Sequence, residues 1–324
     1  MSALPSTSPP PLPDDLRGAR LIDADLAGVD LTGRDLTGAD LSRANLRGAI
    51  LAGATLTDAV LWQADLTDAQ LLQADLRRAD LREARLGRAG LGHADLRNAV
   101  AFGADLRGAT LTGARCDHVD LRGAQLEGAR IMDARLHRAD FASAQLDGAD
   151  MHGCDVSHAS FRDARFGDAR IRGLTQFATA DWVGADLRHA DLGCAQMLAR
   201  CASDQNYLWE FRNQSRAAEL TYWVWWVTSD CGRSFTRWTA CIALVAVAYA
   251  GVYTQVGVDF GRYETPLSPL YFSIVTLMTL GYGDAIPSTT AGQVAAMSEV
   301  VVGYVMLGGL LSLFAARWGR LGGT

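Results

Sequence analysis

Residues 276–284 read Thr-Leu-Met-Thr-Leu-Gly-Tyr-Gly-Asp, and the groups there that could do chemistry belong to the backbone. Gly281 and Gly283 permit main-chain angles closed to other residues. With them, successive carbonyl oxygens can be turned toward a common axis, where oxygens of this kind replace the water around a cation. One loop supplies only one side of such a cage, so the chemistry requires further copies. The second candidate is Glu299, the single ionisable residue inside the apolar runs that flank the loop. A carboxylate in such a run is costly and marks a functional position by default. Two roles are open to it: bonding to hydroxyls such as Ser273 or Thr276 behind the loop, or lining a cavity that attracts cations.

The flanking elements set the geometry. Trp238 to Val258 is free of charge until Asp259 and as a helix would span roughly 31 Å, the thickness of a bilayer core. The first span is expected over 235–258 and the second over 291–314. Between them a short helix over 269–280 cannot cross, so it must enter and return on one side, which is tolerated only where backbone is buried or lines water. Arg212, Arg216, Arg233 and Arg237 precede the charge-free run of the first span and Arg317 and Arg320 follow the second span. Both termini are therefore expected on the cytoplasmic side.

With its two spans, this region resembles tetrameric potassium channels with two transmembrane helices per subunit. Their TxxTxGYG(D/E) signature is matched by Thr276, Thr279, Gly281, Tyr282, Gly283 and Asp284. The resemblance implies an inner-membrane homotetramer, not an enzyme, with no cofactor and with potassium as the permeant ion. It places the filter at 279–284, with potassium ions at the carbonyls of Thr279, Leu280, Gly281 and Tyr282. Leu280 departs from the usual Val or Ile, which leaves the degree of selectivity open and keeps a nonselective cation channel as an alternative. Tyr271, Phe272 and Tyr282 are expected as an aromatic cuff, with Asp284 accepting a hydrogen bond at the outer mouth; simple packing is the other reading of Tyr271 and Phe272. Gly303 falls where related channels have a hinge glycine, and Gly308-Gly309 follow. Bending there would open a gate, or the glycines would serve close helix packing.

The first part of the chain obeys a different rule. From about Leu16 to Ile171 a large residue recurs at every fifth position, as at Leu21, Leu26, Leu31 and Leu36, usually with Ala two places before it. A period of five walks around a helix and so excludes one. In Ala104-Asp105-Leu106-Arg107-Gly108, Ala and Leu would point inward, Asp outward, and Arg-Gly would turn the chain. Each unit reads as a three-residue strand plus a corner, and stacked coils must share one core. The segment resembles the pentapeptide-repeat family, which implies a right-handed, four-sided β-helix with four units per coil. About 37 units make about nine coils and a rod roughly 43 Å long. The predicted architecture is thus mixed: a β-helix over 14–200, a helical linker over 201–234 and an all-α membrane pore over 235–324.

The register slips by one residue near Gly173 to Thr179, after which Phe177, Trp182, Leu187, Leu192 and Met197 carry a new phase. A tolerated insertion at a corner or a ligand-contacting bulge would each produce it. Ser203 or Asp204 is expected to cap a linker helix. Tyr222 to Trp226 would either settle at lipid headgroup level or cap the open end of the β-helix. Residues 1–13, rich in Pro and Ser, read as a disordered tail.

A net charge of −6 with Asp and Arg interspersed gives neither a nucleic-acid patch nor an acidic tail. Some pentapeptide-repeat proteins mimic DNA and inhibit topoisomerases, but mixed charge argues against that here, and no nucleic-acid partner is expected. A membrane-tethered scaffold with a vestigial pore is a further alternative. The six cysteines show no CxxC spacing, and His93, His118, His137, His152, His158 and His189 are scattered. No disulfide framework, zinc site or catalytic constellation is indicated. Regulation would enter through the repeats, by a ligand or protein the sequence does not name.

Overall fold

The computed structural model describes residues 15–193, 196–231, 234–261 and 264–321. The tail over 1–13, Cys194, Arg233 and Arg262 lie outside the described residues, as do the side chains of Arg317 and Arg320. The chain divides into two compact units, Met1–Trp209 and Glu210–Thr324.

The first unit is a β-helical solenoid. Parallel bridges join residues 20 apart, from Arg20 and Asp40 through to Asp155 and Thr175, so four five-residue units make one coil. The Leu and Ala positions fill the interior: Leu36, Leu41, Leu46, Ala39, Ala44 and Ala49 are all fully buried. Each side of a coil contributes one bridging residue rather than a three-residue strand, because the corner claims the others. At the corner after Leu36, Ala39 donates back to the Leu36 carbonyl at 2.9 Å and Gly38 takes φ +66°. This is a type II turn. Many corners carry a side chain instead, as at Arg43 and Asp58. Each costs about 1 kcal/mol, offset where the amide bonds the next coil, as Arg43 does to Trp62 at 2.8 Å.

Outward carboxylates are held by arginine two residues on: Asp75 by Arg77, Asp80 by Arg82, Asp105 by Arg107 and Asp120 by Arg122. The guanidinium hydrogen bonds keep these four carboxyls below their ordinary range. A lowered native pKa adds stability above the unfolded value of about 4 and loses it as pH falls through the native one. Replacing Arg77, Arg82, Arg107 and Arg122 with Gln should therefore move the acid unfolding midpoint, followed by circular dichroism, to higher pH.

The extra residue is absorbed at a corner. Ser160 bridges Asp181, 21 residues on, and Phe177–Thr179 form a single 3-10 turn. Beyond it Trp182 is fully buried and stacks on Phe161 at 4.5 Å, with Phe141 a further 5.1 Å along. The new phase does not reach Met197, which is exposed, because helix α1 (Gln196–Asn213) has already begun. Ser203 and Asp204 accordingly lie inside a helix rather than at its start.

Helix α1 closes the end of the solenoid. Leu198 and Ala202 are buried against it. Gln205 accepts from the Trp182 amide at 2.7 Å and donates to the Ala180 carbonyl at 2.9 Å, while Asn206 accepts from Gly184 at 2.7 Å. These amides stand in for the backbone of a coil that is not there. The residues that cap the last coil are Leu198, Ala202, Gln205 and Asn206. Gln205→Ala should cost about 1–3 kcal/mol by stranding two backbone groups, read as faster hydrogen exchange at Trp182.

In the second unit, α2 (Arg216–Ser229) is capped by Ser215, whose hydroxyl accepts from Ala218 at 3.1 Å, and ends where Asp230 turns left-handed. Helix α3 (Phe235–Tyr253) starts at a Ser234 cap, and β1 (Val258–Asp259) pairs antiparallel with β2 (Ile286–Pro287). Between them lies α4 (Ser268–Leu277), and α5 (Thr290–Leu321) closes the chain. Helices α3 and α5 are long and apolar enough to cross a membrane. The first span ends as a helix at Tyr253 rather than 258, since Gly257 and β1 take over, and α5 outruns the expected 314 by seven residues.

Candidate functional site

Helix α4 stops at Leu277, short of the expected 280, because Thr279 takes φ +56°. Gly281 at +53° and Gly283 at +76° follow, with Leu280 and Tyr282 between them at negative φ. Alternating handedness of this kind allows successive carbonyls to be turned to the same side. A Cβ on Gly281 or Gly283 would meet nothing within 4 Å, so backbone angle and not space demands glycine there. Leu280 and Tyr282 keep 56% and 65% of their surface exposed, so the chain's own helices leave the loop open on one side.

Two attachments fix the loop. At its end, the Tyr271 hydroxyl donates to Asp284 at 2.8 Å, and β2 then ties the strand to β1. At its start, Leu280 donates to the Val275 carbonyl at 2.9 Å. Phe272 points elsewhere: it is buried beside the rings of Tyr253 at 4.8 Å and Phe260 at 6.3 Å. Of the aromatic pair, then, Tyr271 reaches the loop and Phe272 packs between helices.

Glu299 of α5 is fully buried. Its carboxylate accepts from the Tyr253 hydroxyl of α3 at 2.6 Å and from the Ser273 hydroxyl of α4, which also lies 2.9 Å from the Ala246 carbonyl. Three helices therefore meet at one carboxylate. Thr276 is not among its partners. Tyr253 was not singled out from sequence, since a tyrosine in an apolar run gives no sign of a partner 46 residues away.

The glycines of α5 differ from one another. A methyl group on Gly303 would collide with the Leu277 carbonyl at the end of α4, and one on Gly309 would collide with the Trp238 ring. Gly308 has nothing within 4 Å.

Pentapeptide repeats match in eight copies between residues 15 and 173, and a second family, described as ion channel, matches residues 240–318. The chain joins pentapeptide repeats to an ion-channel domain. Over 87 residues the channel domain is 34% identical to two pore potassium channel c of Oryza sativa, covering 22% of this chain and 19% of that one. It is 39% identical over 74 residues to two-pore potassium channel 1 of Arabidopsis thaliana, covering 23% and 18%. To the calcium-gated potassium channel TvoK of Thermoplasma volcanium it is 32% identical over 79 residues, covering 23% of each. The chain thus spans less than a quarter of the length of these relatives. The repeat domain is similar to HetL of Nostoc, a pentapeptide repeat protein involved in heterocyst differentiation regulation, at 28% identity and TM-score 0.37, covering 56% of this chain and 93% of that one. QnrB1, a plasmid-mediated fluoroquinolone resistance protein, matches at 21% identity and TM-score 0.36, covering 58% and 92%.

On the repeat domain, three of the scattered histidines meet. His118, His137 and His158 form an edge-on ladder with ring centroids 5.6 and 5.8 Å apart, and His137 Nδ1 lies 2.8 Å from the Ser157 hydroxyl. Their spacings of 19 and 21 residues fall off the coil period, which hid them in the sequence. No group of His, Cys, Asp and Glu able to hold a metal ion occurs among the described residues.

Proposed function

We propose that this chain is the subunit of a homotetrameric potassium channel, with the loop at 279–284 as its selectivity filter. The observation that carries this reading is the alternating backbone at Thr279, Gly281 and Gly283, held at its end by the bond from Tyr271 to Asp284. Four such loops around an axis would present carbonyls of Thr279, Leu280, Gly281 and Tyr282 to a dehydrated ion, and would cover the exposed surface of Leu280 and Tyr282. Tyr271 would brace the filter through Asp284 and Glu299 would support it from behind through Ser273, and α4 would aim its negative end at the cavity. Gly303 has a packing role against Leu277, so unobstructed Gly308 is the better hinge of the two.

Both termini would lie in the cytoplasm, with the repeat rods as regulatory or scaffolding elements. Leu220, Trp223, Val224 and Val227 form one exposed apolar stripe on α2, and the guanidinium of Arg212 stacks on Tyr222 and Trp223. That combination suits the headgroup level of a lipid bilayer. Locally paired charges on the rod disfavour DNA mimicry.

Reconstituted protein under bi-ionic conditions should show a reversal potential favouring potassium over sodium. Equal permeability would leave a nonselective cation channel, as Leu280 allows, and absence of current would leave a scaffold.

A further inference from the structure

The start of α3 is fastened to the late part of α5 at the glycine pair. Trp238, in the first turn of α3, donates its indole N–H to the Met306 carbonyl at 3.0 Å, and its ring occupies the space that a side chain on Gly309 would fill. In a regular helix the Met306 carbonyl accepts from residue 310, so the indole joins the helix ladder at the turn containing Gly308 and Gly309. One turn further, the rings of Phe235 and Phe314 meet edge-on at 5.2 Å. Glycine is the residue at which a helix gives way most readily. The indole therefore sits where α5 is easiest to bend, and Gly308, exposed and unobstructed, is left to do the bending.

We infer that Trp238 is a positioning residue for the gate: seated on Gly309 and bonded to Met306, it holds α5 straight, and bending at Gly308 requires the indole to leave that seat. This rests on the channel reading above and adds to it a latch between α3 and α5. Because Trp238 follows the link from α2 directly, movement of that link would act on the latch before it acts on the pore. The loop and α4 are held by different contacts, Tyr271 to Asp284 and Ser273 to Glu299, so the latch should change how often the pore opens and not what passes through it.

Two substitutions separate the contacts. Trp238→Phe keeps a ring and removes the donor; Gly309→Ala keeps the donor and fills the seat. In single-channel recordings of the full-length protein, each should raise open probability, Trp238→Phe by about fivefold, the equilibrium change that loss of one neutral hydrogen bond supports. Unitary conductance and reversal potential should stay at wild-type values. Pairing Gly309→Ala with the smaller Trp238→Leu should not restore wild-type open probability, because leucine has no N–H to offer the Met306 carbonyl. A second measurement needs no current: hydrogen exchange of the amides at 308–311 should be faster in Trp238→Phe than in the wild-type chain. Unchanged exchange and unchanged open probability in conducting variants would overturn the latch. A wild-type protein that carries no current would overturn the channel reading, while the exchange rates still decide whether Trp238 restrains α5.

Discussion

Replacing Gly281 with Ala is expected to abolish potassium current while leaving the rest of the chain folded. Gly281 sits at φ +53° between two residues of negative φ, and no atom lies within 4 Å of where a Cβ would stand. The obstacle is thus conformational: an L-residue held left-handed costs roughly 1–2 kcal/mol. In a fourfold pore that cost is repeated in every subunit, for a sum of about 4–8 kcal/mol. The relaxed alternative, with φ negative at 281, turns one carbonyl ring away from the ion and removes a coordination layer. Circular dichroism should be unchanged while flux is lost. Potassium current near the wild-type level in Gly281→Ala would refute the assignment of the filter.

The second large effect is expected at Glu299. Glu299→Ala removes the common acceptor of Tyr253 and Ser273, hydroxyls drawn from α3 and α4, in a site without access to water. The Tyr253 hydroxyl left unmatched costs about 1–3 kcal/mol, Ser273 can turn to the Ala246 carbonyl, and the vacated volume adds a further penalty. The pore should melt earlier, and the support behind the filter should loosen. Glu299→Gln keeps one carbonyl oxygen but replaces the other with a donor that must face a hydroxyl. It should therefore hold more of the stability than Ala and still alter conductance or gating. Thermal unfolding and current records of both variants check the order wild type, Gln, Ala; unchanged conductance and gating in Glu299→Gln would remove the residue from the functional set.

Local signals made the solenoid and the unusual backbone of the loop at 279–284 legible. Five-residue periodicity fixed which side chains of the coils face inward, and the two glycines around Tyr282 marked the special backbone. What escaped depends on contacts between distant residues. Tyr253 reaches Glu299 across 46 positions and Trp238 reaches Met306 across 68, and neither aromatic differs in sequence from an ordinary residue of an apolar run. The cap residues were missed for a related reason: Gln205 and Asn206 act through side-chain amides, which leave no periodic trace. Helix ends shifted where a glycine or a left-handed residue intervened, as at Thr279 for α4.

Bridges at intervals of 20 residues give the rod an arithmetic of its own. Adding or deleting a whole coil would change its length by about 4.8 Å and leave every downstream residue on the same side. Adding five residues would instead advance the chain by one side, a quarter turn, so that α1 departs from a different edge. The single extra residue before Trp182 does neither, being taken up at one corner. Lineages bearing this architecture are thus expected to tolerate insertions in twenties as changes of reach and insertions in fives as changes of heading, like an odometer that keeps distance and direction on separate dials.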